Sequence, residues 1–116
     1  MKDCIFCKIA RHEIPKDFAY EDTEVMAFAD INPIKEIHIL IVPKKHIKDF
    51  IDIKDEALPA GRQGLMTKLK NVGQKIIKEQ KLEEKGYRIV VNGGGAQIID
   101  HLHFHIIGPL GKAVKM

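Results

Sequence analysis

The longest regular pattern of apolar and polar residues in the chain begins at Leu65. Apolar residues recur every three or four positions there, at Leu65, Leu69, Val72, Ile76 and Ile77. Lysines stand among the positions between them, as on the outer face of a helix. The spacing therefore predicts one amphipathic main helix that begins at Leu65 and ends before Gly86.

Shorter apolar runs predict strands on both sides of this helix. Residues 17–21 and 25–30 flank a polar turn and predict a hairpin. In the segment His38–Val42, every residue after the histidine is apolar, which predicts a central strand buried on both faces. After the helix, residues 87–92 predict another strand, and a glycine-rich connection leads from it to the segment His101–Ile107. The alternation in that last segment predicts the final strand.

A short helix or turn is expected over Cys4–Ile14, because Pro15 disfavours helical backbone at the residue before it. Strands thus lie on both sides of one main helix, which predicts an α+β fold with a mainly antiparallel sheet. The chain has 116 residues, a length typical of one domain, so residues 1–116 are assigned to a single domain.

Charge and hydropathy exclude several classes of partner. The net charge is only +3 and the lysines are spread along the chain, so we expect no nucleic-acid partner. No apolar run reaches the length of a membrane span, so we expect no membrane partner. Asp3 and Lys8 interrupt the N-terminal segment where a signal peptide requires apolar residues. The sequence therefore predicts a cytoplasmic protein.

The candidate chemistry lies in the last predicted strand, where histidines occupy alternate positions. An extended backbone would place His101, His103 and His105 on one face and the apolar residues between them on the other. Imidazole can be a nucleophile, a general acid or base, or a metal ligand near neutral pH. In a dry core several of these ring nitrogens would lack partners. The pattern therefore predicts a site that binds and attacks an anionic substrate.

Two further motifs accompany the histidines. Cys4 and Cys7 form a Cys-x-x-Cys pattern, which in a cytoplasmic protein indicates reduced thiols for metal or redox chemistry rather than a structural disulfide. The glycines at 93–95 match neither of the common phosphate-binding glycine motifs. Their position directly before the histidines predicts a loop that closes on a bound anion.

These motifs resemble the histidine triad (HIT) family, and within it the HINT-like nucleoside phosphoramidate hydrolases. The matching segments are Cys4–Ile9, Glu13–Pro15, Asp30–Pro33, Ile41–His46, Val91–Gly93 and the pattern His101-x-His103-x-His105. The resemblance implies a five-stranded antiparallel sheet with one main helix and a short N-terminal helix, paired into a two-fold homodimer. It also implies a purine mononucleotide pocket and the hydrolysis of purine nucleoside 5′-phosphoramidates or related AMP or GMP conjugates, with no metal cofactor for catalysis.

The resemblance also implies roles for individual residues. His103 would be the nucleophile that forms a nucleotidyl-histidine intermediate, with His105 on the phosphate oxygens and His38 orienting the triad by hydrogen bonding. The implied nucleotide contacts are Phe28 and Ile31 against the base, Asp30 on the ribose hydroxyls, and Asn92 and Gln97 beside the phosphate and leaving group.

A structural zinc is the one cofactor that the resemblance suggests. Some bacterial members of the family bind zinc at positions that correspond here to Cys4, Cys7, His46 and His101. Two sulfur and two nitrogen ligands suit tetrahedral zinc. With zinc bound, His101 would anchor the strand rather than take direct part in catalysis as the first histidine of the triad. The alternative is that Cys4 and Cys7 are buried or redox-active thiols that bind no metal.

The chain departs from the family pattern near the triad. Ile98 stands where HINT-like enzymes carry Ser or Thr, so a hydroxyl that assists the leaving nitrogen is missing. Asp100 replaces an aromatic residue directly before His101, and the segment Ala57–Gly64 resembles an insertion at the surface.

Three functions therefore stay open. The first is the covalent nucleotide hydrolase or transferase. The second, which Ile98 favours, is a purine-nucleotide-binding regulatory dimer with little turnover. The third is a metal-dependent hydrolase in which the three histidines themselves hold the ion. The Cys-x-x-Cys pattern favours a separate structural metal over this third function.

Overall fold

The computed structural model describes residues 4–54 and 58–112. They form two α-helices and five strands: α1 (Ile5–Ala10), β1 (Phe18–Glu21), β2 (Val25–Ala29), β3 (Ile37–Pro43), α2 (Leu65–Glu79), β4 (Arg88–Val91) and β5 (Phe104–Gly108). A single turn of 3-10 helix, Phe50–Asp52, lies between β3 and α2. Every predicted helix and strand is therefore present, with ends that differ by one to several residues.

The five strands form one sheet in the order β1-β2-β3-β5-β4, and all neighbouring pairs are antiparallel. This arrangement confirms the predicted α+β class and its five-stranded antiparallel sheet. The predicted hairpin is β1-β2, and Asp22 organises its turn by accepting hydrogen bonds from the backbone N–H groups of Glu24 and Val25. The central strand is β3.

Both faces of the sheet are covered, which confirms that β3 is buried on both sides. On one face, Ile39, Ile41 and Ile106 pack in a core with the apolar side of α2. On the other face, a second core joins the sheet to α1; its members are Phe6, Ile9, Met26, Phe28, Leu40 and Val42. Because side chains alternate along a strand, His38 and His105 project from the face that α1 covers.

The predicted start of the final strand is wrong by three residues, since β5 begins at Phe104 rather than His101. The backbone N–H of Leu102 donates to the carbonyl of Ile47 at 2.6 Å, and the His101 ring donates to the carbonyl of Pro43 at 2.7 Å. These bonds turn residues 101–103 toward the segment after β3. Of the three histidines in the His-x-His-x-His pattern, only His105 therefore belongs to a strand.

Both helices end earlier than the sequence predicts, and for one reason. His12 (φ 61°) and Lys81 (φ 59°) adopt the left-handed conformation soon after α1 and α2. The following N–H groups bond backwards, with Glu13 N–H on the carbonyl of Lys8 and Leu82 N–H on that of Ile77. Such bonds satisfy the last carbonyls of a helix and end it. Pro15 and Gly86, which the sequence predicts as the limits of the two helices, lie after the residues at which the helices end.

The predicted surface insertion lies before α2. Residues 58–64 contain no helix or strand, as expected of a loop, and Ala57 falls outside the described residues. In the segments 4–54 and 58–112, no helix is both long and apolar enough to cross a membrane.

Candidate active site

The first pair of site residues is held by the register between β3 and β5. Leu40 lies opposite His105, and His38 lies two residues before Leu40 on the same face. The two imidazoles are therefore diagonal neighbours, with Nε2 of His38 2.9 Å from Nδ1 of His105. The predicted proximity of His38 to the triad is present in the structure.

Hydrogen bonds determine which nitrogens of this pair carry protons. Nδ1 of His38 accepts the backbone N–H of Ile34 at 3.2 Å, so neutral His38 carries its proton on Nε2. That proton is donated to Nδ1 of His105, which leaves the His105 proton on Nε2. Nε2 of His105 is buried and has no hydrogen-bond partner within the described residues. It is therefore a donor available to a ligand oxygen.

The charge state of His105 agrees with this assignment. Burial, followed by the neighbouring His103 and His38, lowers the pKa of His105 to about 4, and Asp30 acts in the opposite direction. His105 is accordingly neutral near pH 7, with a single ring proton.

His103 is buried and oriented by its own backbone neighbourhood. Its Nδ1 lies 2.7 Å from the carbonyl oxygen of His101. A carbonyl oxygen can only accept, so Nδ1 carries the proton and Nε2 keeps its lone pair. Rings of Phe6 and His105 stand 5.1 Å and 4.9 Å away, measured between centroids, and hold the imidazole in place. In the neutral ring, the nitrogen that can act as a nucleophile is therefore Nε2.

Asp30 connects the histidines to a cavity. One carboxylate oxygen accepts the N–H of Asn32 at 2.8 Å, and the other lies 3.4 Å from Nε2 of His38. The cavity measures about 440 Å³, within the range of small-molecule sites. Its lining residues are Pro15, Lys16, Asp17, Ala29, Asp30 and Ile31.

Two predicted base contacts lie in different surroundings at this cavity. Ile31 is 78% exposed at the rim, whereas Phe28 is only 2% exposed and belongs to the core with α1. The ammonium of Lys16 lies 5.1 Å from the centroid of the Phe28 ring. Phe28 therefore lies behind Lys16 in the core and is not one of the residues that line the cavity.

Gln97 is buried and anchored to the segment after β3. Its side-chain N–H donates to the carbonyl of Lys48 at 2.6 Å, while its side-chain oxygen is buried without a partner in the described segments. Asn92 is exposed and follows directly on β4, where Val91 pairs with Phe104. Asn92 and His103 are thus each one residue beyond the last pair of this ladder.

The glycine connection is tied down by a residue that the sequence patterns did not single out. The carboxylate of Asp49 accepts the N–H of Gly94 at 2.8 Å and that of Phe50 at 2.6 Å. A side chain on Gly93 would place its first carbon 2.3 Å from the same carboxylate. Gly93 is therefore required by this close approach.

The predicted metal ligands Cys4, Cys7, His46 and His101 come together beneath α1. Sγ of Cys4 is 3.3 Å from Nδ1 of His101, and Sγ of Cys7 is 3.3 Å from Nδ1 of His46. All four ligand atoms lie within 4.8 Å of one another. Tetrahedral zinc separates sulfur and nitrogen ligands by roughly 3.6 Å, given its usual bond lengths. The four residues fit such an ion.

Hydrogen bonding also prepares His101 to be a ligand. Its Nε2 donates to the carbonyl of Pro43 at 2.7 Å, which leaves the lone pair on Nδ1, facing the thiols. Burial lowers the pKa of His101 to about 4, so the ring is neutral. Burial and the neighbouring Cys4 raise the pKa of the Cys7 thiol to about 11.

The three imidazoles all lie on the side of the sheet that α1 covers, as the alternation predicts, but each has different partners. His101 faces the cysteines, His105 pairs with His38, and His103 lies between them. Among the described residues, no group of candidate metal ligands contains all three. Asp30, His38 and His105 also lie within 4.8 Å of one another, yet the His38–His105 contact is a hydrogen bond in which His38 has no free lone pair.

Several groups at this site had no signal in the sequence. The N–H of Ile34 and the carbonyl of Pro43 are backbone groups that any residue type carries, so no pattern could identify them. Lys16 and Asp17 follow Pro15 in a segment that reads as an ordinary polar connection. Their position at the cavity depends on the packing of that connection beside β2.

Comparison with known proteins agrees with this geometry. Residues 3–115 match a family profile described as scavenger mRNA decapping enzyme C-term binding. An uncharacterized HIT-like protein of Methanocaldococcus jannaschii is 43% identical over 106 residues, which are 90% of this chain and 77% of that protein. The chain belongs to the histidine triad (HIT) family.

Solved structures of HIT proteins have the same fold. A histidine triad protein from Clostridium difficile is 42% identical, with a TM-score of 0.80 over 100% of this chain and 96% of that one. A HIT family hydrolase from Legionella pneumophila is 38% identical, with a TM-score of 0.78 over 91% of this chain and 92% of that one. The HIT-like fold predicted for this chain is thereby confirmed.

Proposed function

We propose that this HIT protein hydrolyses purine nucleoside 5′-phosphoramidates, or related AMP or GMP conjugates, through a covalent nucleotidyl-histidine on His103. This places it with the HINT-like branch of the family. The observation that carries the proposal is the 2.7 Å bond from Nδ1 of His103 to the His101 carbonyl, which keeps the lone pair on Nε2. A neutral imidazole is nucleophilic at pH 7, and no metal is needed to activate it.

The proposed reaction has two steps. Nε2 of His103 attacks the α-phosphorus, the phosphorus–nitrogen bond to the leaving amine breaks, and the amine takes a proton from solvent. Water then attacks the phosphorus of the nucleotidyl-imidazole, which releases the nucleoside monophosphate and restores His103.

His105 and its partner stabilise the charge that develops on the phosphoryl oxygens. The unpartnered Nε2–H of His105 is a donor of fixed orientation, held by the bond from His38 to its Nδ1. A donor oriented before the reaction costs no reorganisation in the transition state, which is the usual source of such stabilisation. His38 is thus a positioning residue, whereas His103 and His105 contact the substrate.

The cavity and the glycine segment supply the remaining contacts in this proposal. Asp30, whose carboxylate lies between the cavity and His38, accepts from the ribose hydroxyls. The base lies against Ile31 at the rim, and contact with Phe28 requires the Lys16 ammonium to move from the Phe28 ring. Asn92 and the buried side-chain oxygen of Gln97 border the phosphate and the leaving group.

We further propose that Cys4, Cys7, His46 and His101 bind a structural zinc ion. When bound, zinc would tie α1 to the segments that carry His46 and His101. The sulfur–nitrogen distances of 3.3 Å to 3.6 Å and the lone pair on His101 Nδ1 support this assignment. His101 then serves catalysis only through its carbonyl, which orients His103. The two-fold homodimer is likewise proposed, from family resemblance alone.

The function is tested by incubating the protein with fluorogenic adenosine and guanosine 5′-phosphoramidates, with and without a chelator, beside His103→Ala. We expect chelator-insensitive turnover that His103→Ala abolishes. Rapid acid quenching of the wild-type reaction should trap a nucleotidyl-protein, detected as the added mass of one nucleotide. Turnover that the chelator removes while the fold persists would instead support a metal-dependent hydrolase.

A nucleotide-binding protein with little turnover is the second candidate, and Ile98 favours it. The side chain is 99% exposed and offers no hydroxyl to the leaving nitrogen. In that case the wild-type protein binds purine nucleoside monophosphates but releases no product, and Ile98→Ser raises the rate of turnover. If Ile98→Ser changes neither rate nor leaving-group preference, this second function loses its support.

A further inference from the structure

We propose that Lys16 and Asp17 make the cavity selective for guanine over adenine. The inference rests on the proposed function, because it takes the cavity beside Asp30 as the place of the nucleoside. It concerns two side chains that neither the sequence patterns nor the proposed mechanism uses.

Both residues line the cavity from the connection between α1 and β1. Lys16 is half-buried and Asp17 is exposed, and Asp30 lines the same cavity on the side of the triad. A nucleoside whose ribose lies at Asp30 therefore directs its base toward this connection. The cavity volume of about 440 Å³ accommodates a base and a ribose.

Lys16 is placed to read one edge of the base. Its ammonium lies 5.1 Å from the centroid of the Phe28 ring, whose electron-rich face attracts a cation and keeps it at the cavity. No ion pair among the described residues involves Lys16, so its three donors are available. Guanine presents two acceptors, O6 and N7, on this edge, whereas adenine replaces O6 with an amino donor.

Asp17 complements the opposite edge of the same base. A carboxylate can only accept, and guanine offers the donors N1–H and N2–H₂. Adenine presents the unprotonated N1 there, so two acceptors would face each other. A neighbouring cation and anion thus match guanine at both edges, whereas adenine offers Lys16 only N7 and presents an acceptor to Asp17. One good bidentate pair discriminates between bases by on the order of 10- to 100-fold.

The test compares three nucleotides and three variants of the full-length protein. Dissociation constants for GMP, IMP and AMP are measured by calorimetry, and kcat/KM is measured for guanosine and adenosine phosphoramidates that carry the same amine. IMP keeps O6, N7 and N1–H but lacks the N2 amino group. Lys16→Met keeps the apolar stem of the side chain without its charge, and Asp17→Asn replaces the carboxylate with a neutral amide. Lys70→Met, at an exposed position of α2, is the matched control.

We expect the wild-type protein and Lys70→Met to bind GMP at least tenfold more tightly than AMP. Lys16→Met should weaken the binding of GMP and IMP about equally and that of AMP less, while Asp17→Asn should weaken GMP binding more than IMP binding. Equal affinity for GMP and AMP, no binding of any of the three, or a guanine preference that survives both variants would overturn the inference. Absence of turnover together with a Lys16-dependent preference for GMP would overturn the proposed hydrolysis and uphold the base selectivity.

Discussion

Nε2 of His38 donates a hydrogen bond to Nδ1 of His105 across the β3–β5 pair, at a distance of 2.9 Å. The bond has a chemical consequence beyond holding two rings together. Since His38 receives the N–H of Ile34 on its other nitrogen, the proton of His105 must lie on the nitrogen that faces the site. A residue outside the His-x-His-x-His pattern therefore determines what the last histidine of that pattern can donate.

The first prediction concerns this bond. The amide of glutamine can present either its N–H₂ or its oxygen to Nδ1 of His105, so His38→Gln should release the fixed tautomer of His105. We expect kcat to fall on the order of 100-fold, as for other losses of catalytic orientation. Nitrogen-15 spectra of the imidazoles should show one tautomer of His105 in the wild-type protein and a mixture in the variant.

The surface variant Lys70→Met is the control for this experiment, because Lys70 is an exposed residue of α2 outside the site. A folded His38→Gln protein with the wild-type kcat and a single His105 tautomer would contradict the proton assignment.

The second prediction concerns the proposed zinc site. Protein purified without chelator should contain about one zinc ion per chain, and Cys4→Ser should lose it, because tetrahedral zinc needs all four ligands. Removal of the ion should lower the melting temperature, since metal binding to the folded chain is coupled to folding. Elemental analysis and thermal unfolding measure the two effects.

His38→Gln is a matched control here, because it changes a buried histidine outside the four ligands and should keep the zinc. Folded wild-type protein that contains no zinc and gains no thermal stability from added zinc would exclude a structural zinc site.

The third prediction concerns the anchor of the glycine segment. Asp49→Ala removes the acceptor for the N–H groups of Gly94 and Phe50, and should lower the free energy of unfolding by about 1 kcal/mol. Because the loosened segment also carries Gln97, kcat/KM for the phosphoramidate should fall as well. Urea unfolding and steady-state kinetics measure the two effects.

Asp52→Ala is the control for this variant, since Asp52 is an exposed residue of the same 3-10 turn. Equal effects of the two substitutions on kcat/KM would show that Asp49 does not position the segment for catalysis.

The fourth prediction is a dependence of stability on pH. Burial alone would raise the pKa of Asp22, but hydrogen bonds from Tyr20, the N–H groups of Glu24 and Val25, and Lys68 outweigh it and lower the pKa to about 2, from 3.8. The carboxylate therefore stabilises the fold above about pH 4, and this contribution is lost as the pH falls toward 2. It amounts to about 2 kcal/mol at pH 7.

Asp22→Asn should accordingly lower the free energy of unfolding at pH 7 by about that amount, and the difference from wild type should shrink steadily below pH 4. Urea unfolding at several pH values measures this. A difference that stays constant down to pH 2 would attribute the effect to packing rather than to the charge.

The fifth prediction concerns the glycine inside α2. A side-chain carbon on Gly73 would lie 3.5 Å from Cδ1 of Ile41, an ordinary contact, so Gly73→Ala should fit without displacing β3. Alanine favours helix over glycine, and we expect the free energy of unfolding to rise by about 0.5–1 kcal/mol. The opposite result is expected for Gly108→Ala, whose new carbon would lie 2.9 Å from the Leu82 side chain. Destabilisation by Gly73→Ala would show that the α2–β3 interface has no room.

Patterns within short segments determined most of the fold. The period of the apolar residues from Leu65 predicted α2, and the unbroken run from His38 predicted a strand covered on both faces, because each pattern records which sides of one segment must leave water. The ends of these segments were less well predicted. His12 and Lys81 end their helices through left-handed backbone that residue type alone does not specify.

In the candidate site, too, the sequence predicted some features and only the tertiary structure determined the others. The sequence identified the histidines and cysteines by chemical type, and family resemblance grouped them. Only the tertiary structure separated His101 from His105, because their partners come from distant segments: His101 contacts Cys4, which lies 97 positions away, and His105 contacts His38, which lies 67 positions away. The proton positions also depend on backbone groups that every residue possesses. Residue type therefore predicts which chemistry is available, and packing determines which nitrogen performs it.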